Sequence, residues 1–152
     1  MVAVEIDASI TINLAPDTEH ERKAAIRDLL EDNYFSLKNG TEGPYHLLLS
    51  SQEGRLVLDV RDTKNTPIMA FGLSLTPFRR IVKDYFQICE SYYDAVRNAN
   101  PAQIETIDMA RRGVHNEGSE ILRERLSGKA DMDLDTARRL FTLVCSLLWQ
   151  GI

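Results

Sequence analysis

Apolar and polar residues alternate one by one at the start of this chain. Val2, Val4, Ile6, Ala8, Ile10, Ile12 and Leu14 are apolar, and Glu5, Asp7, Ser9, Thr11 and Asn13 between them are polar. A period of two predicts a strand with one face buried and one wet, broken at most once. Pro16-Asp17-Thr18-Glu19 then opens a helix predicted to run to about Asp32. Its stripe is Ala25, Ile26, Leu29 and Leu30, and acids crowd its first turn, where the helix dipole favours them.

Four further strands are predicted at Tyr34–Lys38, Tyr45–Ser50, Arg55–Arg61 and Pro67–Leu75. Asn39-Gly40 to Gly43-Pro44, Glu53-Gly54 and Asp62–Thr66 separate them with turn chemistry, and Glu53-Gly54 reads as a tight hairpin. In the last strand Met69, Phe71, Leu73 and Leu75 form a large apolar face, while Ala70, Gly72 and Ser74 form a small-residue face. Small side chains there suit packing at a sheet edge, or close approach by another backbone or a ligand.

From Thr76 onward the period becomes 3.6. Thr76 is placed to cap a helix with Pro77 at its first position, and Phe78, Ile81, Val82, Tyr85, Cys89, Tyr92, Tyr93 and Val96 make a stripe reaching Asn98. Asn100 with Gln103 is a capping box and Pro101 opens the next helix, whose stripe is Ile104, Ile107, Ala110, Val114, Ile121, Leu122 and Leu126. Gly113 and Gly118 lie inside that span, so either one long helix or a break between the two glycines fits; two interior glycines cost about 2 kcal/mol against alanine. Gly128 ends it. The last helix, capped by Asp133 or Asp135, is apolar nearly all round through Leu143, Cys145 and Trp149, as a central helix or an oligomer contact would be. The order β-α-β-β-β-β-α-α-α predicts a single α+β domain over residues 1–152, sheet-rich to 75 and helical from 76. Its fold is a mostly antiparallel five-strand sheet with helices packed on one face.

Composition narrows the function classes. The 152 residues carry a net charge of −5, with 43% hydrophobic and 27% charged residues, which is globular rather than disordered. No run of 18 apolar residues occurs, and the N-terminus lacks a basic segment followed by an apolar one. Neither a membrane span nor a signal peptide is expected, and the chain reads as cytoplasmic with two reduced thiols, Cys89 and Cys145. Residues 1–75 hold seven Lys/Arg against twelve Asp/Glu, whereas the rest holds eleven of each. An acidic chain lacks the footprint of general nucleic-acid binding. Nine of thirteen arginines follow position 75, and Arg is the residue for bidentate carboxylate or phosphate pairing.

Three Arg pairs stand out, Arg79-Arg80, Arg111-Arg112 and Arg138-Arg139. For the last two, pairing to a helix neighbour such as Asp108 with Arg112 is the simpler account. Arg79 and Arg80 differ: they follow Thr76 at a helix start with no acid before Asp84. Cations there are unfavourable by roughly 0.3–1 kcal/mol each, so a carboxylate or a bound anion is expected to compensate. His115, Asn116 and Glu117 stand between the two glycines; on a tight turn they would serve as acid, base and amide beside Arg111 and Arg112, and on a helix as ordinary packing. His115-x-Glu117 matches the start of a zinc deaminase signature, but no Cys-x-x-Cys follows, so no metal or other cofactor is expected.

Thr76-Pro-Phe-Arg-Arg-Ile-Val-Lys-Asp-Tyr-Phe86, Cys89-Glu-Ser-Tyr-Tyr93, His115-Asn-Glu-Gly118 and Asp135-Thr-Ala-Arg-Arg-Leu-Phe-Thr-Leu-Val-Cys145 together resemble a family of small uncharacterised proteins of alphaproteobacteria. The resemblance covers most of the chain. It implies a bacterial cytoplasmic protein and supplies no catalytic residues. Two function classes stay open. The first is a binding or regulatory module that recognises an anionic small molecule or protein partner through Thr76, Arg79, Arg80, Arg111 and Arg112. The second is an enzyme acting on a phosphorylated or carboxylated metabolite with His115, Asn116 and Glu117. Either is compatible with a homo-oligomer.

Overall fold

The computed structural model describes residues 1–6 and 16–148, with only the backbone described for residues 16–18. Strand β1 (Ala3–Ile6) is followed by helix α1 (Pro16–Glu31), β2 (Phe35–Leu37), β3 (His46–Gln52), β4 (Arg55–Arg61) and β5 (Pro67–Ser74). Helices α2 (Thr76–Asn98) and α3 (Pro101–Leu126), strand β6 (Ala130–Met132) and helix α4 (Leu134–Leu148) complete it. The alternation predicted for residues 7–14 and the expected place of Trp149 lie outside the described residues.

The expected five-strand sheet is a four-strand sheet in the order β1-β3-β4-β5 and a separate two-strand sheet of β2 with β6. The main sheet is mixed. β1 runs parallel to β3 because α1 lies between them in sequence, and a strand–helix–strand crossover returns the second strand in the same direction. The β3–β4 and β4–β5 pairs are antiparallel. β2 is drawn away from this sheet because Phe35, Ser36 and Leu37 pair with Met132, Asp131 and Ala130. That partner, Ala-Asp-Met, is too short to show a period, so the sequence order lacked a strand between the last two helices.

The Glu53-Gly54 hairpin is present, with both residues at positive φ (52° and 76°), the twist that a two-residue turn between right-handed strands requires. One sheet face is buried through Leu47, Leu49, Leu56, Leu58, Val60, Phe71 and Leu73, which join the helices in one core with Phe78, Val82, Leu122 and Phe141. On the other face, the small-residue row of β5 is approached by a side chain. A Cβ on Gly72 would lie 3.0 Å from Arg55 Nε, so the guanidinium of the neighbouring strand fills the space.

Helix α2 begins one residue earlier than expected. Leu75 is the N-cap and makes no side-chain cap bond; instead the Thr76 N–H donates to Ser74 Oγ at 3.3 Å. Arg79 and Arg80 are therefore the fourth and fifth helical residues, where the dipole penalty is already fading. The capping box at Asn100 and Gln103 is formed as expected, with the Gln103 N–H donating to Asn100 Oδ1 at 2.9 Å. Asp133 caps α4 through the Thr136 N–H at 2.9 Å.

Helix α3 is unbroken across both glycines. Gly118 meets α4: a Cβ there would lie 2.5 Å from Phe141 Cε1 and 2.7 Å from Cε2. Gly113 meets nothing within 4 Å. Gly113→Ala is therefore expected to raise stability by about 1 kcal/mol, since it removes backbone freedom from the unfolded chain and adds a helix former at no steric cost. Chemical denaturation with an unchanged slope would verify it. The apolar girth of α4 is satisfied within the chain, with Ala137, Leu140, Phe141, Leu143, Val144, Cys145 and Leu147 all buried.

Candidate functional site

The close approach at Gly118 places His115, one turn earlier on α3, against α4. His115 Nε2 lies 2.9 Å from Thr142 Oγ1, and the ring meets Phe141 and Tyr85 edge-on at centroid distances of 5.1 and 5.2 Å. The Thr142 hydroxyl donates to the Arg138 carbonyl at 3.2 Å, and the Ser119 hydroxyl donates to the His115 carbonyl at 2.7 Å. With both hydroxyls turned to carbonyls, the arrangement suits the tautomer that carries its proton on Nε2 and donates to Thr142 Oγ1. Burial, with help from the nearby Arg138 and Arg111 cations, depresses the imidazole pKa to about 4. His115 is thus neutral at physiological pH.

His115 forms the floor of a cavity of about 370 Å³ between α1 and α4. Tyr85 and Thr142 share that floor. One wall comes from α1, with Glu21 and Asp28 flanking Ala24 and Ala25; the other comes from α4, with Asp135, Arg138 and Arg139. Arg138 Nη1 lies 3.6 Å from Asp135, a half-exposed contact of little strength. Arg139 donates to the Asp32 carbonyl at 2.6 Å, just past the end of α1, where a cation suits the helix terminus. The Tyr93 hydroxyl reaches Glu21 at 3.5 Å. The Tyr85 hydroxyl is pushed far above its usual range, chiefly by burial, and stays protonated.

The other candidates are placed differently. Arg111 and Arg112 share one carboxylate, Arg111 at 2.6 Å from Asp108 Oδ1 and Arg112 at 2.8 Å from Oδ2. Arg111 also lies 4.2 Å over the Tyr92 ring, so it reaches His115 only through its field. Glu117 is exposed, and neither it nor Asn116 lines the cavity. Asn116 Oδ1 is buried without a hydrogen-bond partner among the described residues. Thr76, Arg79 and Arg80 are exposed at the sheet-to-helix junction, with Arg79 beside the Gly54 turn and Arg80 3.9 Å from Asp84. They do not join His115. No ion pair among the described residues engages Arg79, so its cation is uncompensated there.

Sequence reasoning missed Glu21, Asp28 and Thr142 as cavity residues. It noted Arg138-Arg139 only as a helix-neighbour pair. A weak signal existed: Arg138 and Thr142 are four apart on one helix, and Glu21 and Asp28 are seven apart on another, so each set shares a face. Nothing local joins α1 to α4. Cys89 and Cys145 are buried and form no disulfide, and burial pushes the Cys89 thiol up to about 11. No group of three or more His, Cys, Asp or Glu among the described residues is placed to hold a metal ion. No helix among them is long and apolar enough to cross a membrane.

Residues 1–150 match the model of an uncharacterised protein family, UPF0262. The chain belongs to UPF0262. A UPF0262 protein of Mesorhizobium japonicum is 57% identical over 152 residues, covering 99% of this chain and 94% of its own length. One from Cereibacter sphaeroides (strain ATCC 17025) is 56% identical over 151 residues, covering 96% of each. One from Rhodospirillum rubrum is 54% identical over 151 residues, covering 99% and 93%. No solved structure matches the chain. UPF0262 membership thus agrees with the resemblance to an alphaproteobacterial family and brings no assigned activity to the His115 cavity.

Proposed function

We propose that this protein is a non-catalytic binding module. Its ligand, a small molecule bearing a carboxylate or phosphate, sits in the cavity between α1 and α4 against Arg138 and Arg139. The observation that supports this reading is the arginine wall beside a fixed floor. Two guanidinium groups from consecutive positions of α4 line a cavity of metabolite size, and the His115–Thr142 pair beneath them is held by hydrogen bonds and ring contacts. A fixed, uncharged floor beside two guanidinium groups leaves the arginines to hold an anionic group. The catalytic alternative is less well supported. An imidazole with a pKa near 4 is poorly matched to act as a base at neutral pH, and Glu117 is not beside it.

Thermal denaturation of the full chain tests this reading. A panel of millimolar carboxylates, amino acids, phosphate esters and inorganic phosphate is expected to contain members that raise the melting temperature. Arg138→Ala should remove the rise while melting close to the wild type without ligand, because its ion pair with Asp135 is long and exposed. Arg79→Ala should keep the rise. A panel that leaves the wild type unmoved contradicts the reading, as does a rise that survives in Arg138→Ala.

A further inference from the structure

We infer that the ligand of this cavity is a small zwitterion, carrying an ammonium group a few bonds from its carboxylate or phosphate. The inference rests on the binding reading above and takes its chemistry from the opposite wall. Glu21 and Asp28 stand seven residues apart on one face of α1, and both line the cavity. Ala24 and Ala25 lie between them, and their short side chains leave the acidic wall open to the interior. Arg138 and Arg139 stand across from it on α4.

Charge decides which molecule this arrangement admits. Three carboxylates (Glu21, Asp28 and Asp135) and two guanidinium groups line the cavity, and His115 adds no charge at neutral pH. A plain anion that pairs with Arg138 also meets the carboxylates of α1. A plain cation that pairs with Glu21 or Asp28 also meets the arginines. A molecule with one charge of each sign, laid across the cavity, pairs with the carboxylates of α1 and the arginines of α4, and meets a like charge only at Asp135. Within a partly enclosed space such pairings are screened less than on open surface, so the opposed walls select as well as attract. The anionic end lies towards Arg138 and displaces its 3.6 Å contact with Asp135; the ammonium end lies towards Asp28 and Glu21. The cavity volume suits a molecule of amino-acid to small phosphoamine size rather than a nucleotide or peptide.

Matched chemical sets test this by calorimetric titration of the full chain at neutral pH. The sets are γ-aminobutyrate with butyrate and butylammonium, alanine with propionate and ethylammonium, and phosphoethanolamine with ethyl phosphate and ethylammonium. At least one zwitterion should bind about tenfold or more tightly than both of its partners that carry charge of one sign only. The double variant Glu21→Gln, Asp28→Asn, with its fold verified by circular dichroism, should lose that preference while binding the plain anion no more weakly. If that variant fails to fold, the wild-type comparison within each set decides. Deaminated partners that bind as well as their zwitterions in every set that binds overturn the inference and leave the binding reading standing. So does a preference that survives in the folded double variant. If no member of any set binds, the binding reading itself fails and the inference with it.

Discussion

Gly118→Ala lowers the stability of this protein by about 2 kcal/mol, a fall of about 4–8 °C in melting temperature for a chain of this size. The added methyl would overlap the Phe141 ring, which is fully buried. Overpacking costs about 1–3 kcal/mol, and a methyl placed this deep in a buried ring falls at the upper end, against about 1 kcal/mol gained in helix propensity. The loss has a functional side. Any separation of α3 from α4 that relieves the clash also lengthens the 2.9 Å contact of His115 with Thr142 one turn away. Paired measurements on Gly113→Ala and Gly118→Ala isolate the cause, because the two changes are chemically identical and sit on the same helix. Opposite signs are expected; a shared sign would mean that the α3–α4 contact is not the tight one.

The second large effect is a loss of stability between pH 6.5 and 4 that disappears in His115→Gln. The folded imidazole has a pKa of about 4, depressed by burial and by Arg138 and Arg111, against about 6.5 in the unfolded chain. A base with a depressed folded pKa binds its proton more readily when unfolded, so protonation favours unfolding. The stabilisation is complete above pH 6.5 and is lost as pH falls towards 4, by up to about 3 kcal/mol over that span. Asp108 and Asp133 are both held below the usual carboxylate range, so their losses fall at lower pH. Urea denaturation at several pH values, wild type against variant, measures the difference directly. A variant whose stability keeps the wild-type slope from pH 6.5 to 4 would mean that His115 is not the titrating group.

Much of this fold was legible because its signals are local. The 3.6 period from Thr76, the capping box at Asn100 and the Glu53-Gly54 turn each depend on residues a few positions apart, and each is present. What failed was long-range or too short to carry a period. The β2–β6 pairing joins segments separated by three strands and two helices, and three-residue strands leave no alternation to detect. The cavity failed to show for the same reason: its walls come from α1 and α4, at opposite ends of the chain. The Arg-rich start of α2 drew attention because its rule is local, yet one residue of shift in the cap removed part of its anomaly.

Arg22 shows how a visible pattern can still be passed over. With Ala25, Ile26 and Leu29 it completes the inward spacing of α1. It is buried, donating to Ser146 Oγ at 3.0 Å and to the Ser146 carbonyl at 3.3 Å near the end of α4. A cation there satisfies a helix C-terminus and locks α1 to α4.

Ligand is expected to bind at the α1–α4 cavity and not at the arginine-rich start of α2. Nuclear magnetic resonance of the ¹⁵N-labelled chain addresses it most directly, by following arginine Nε–H and histidine ring signals as γ-aminobutyrate or phosphoethanolamine is added. Saturable shifts are expected at His115 and Arg138, with Arg79 and Arg80 unmoved. Saturable shifts at Arg79 and Arg80, with His115 and Arg138 silent, would contradict it.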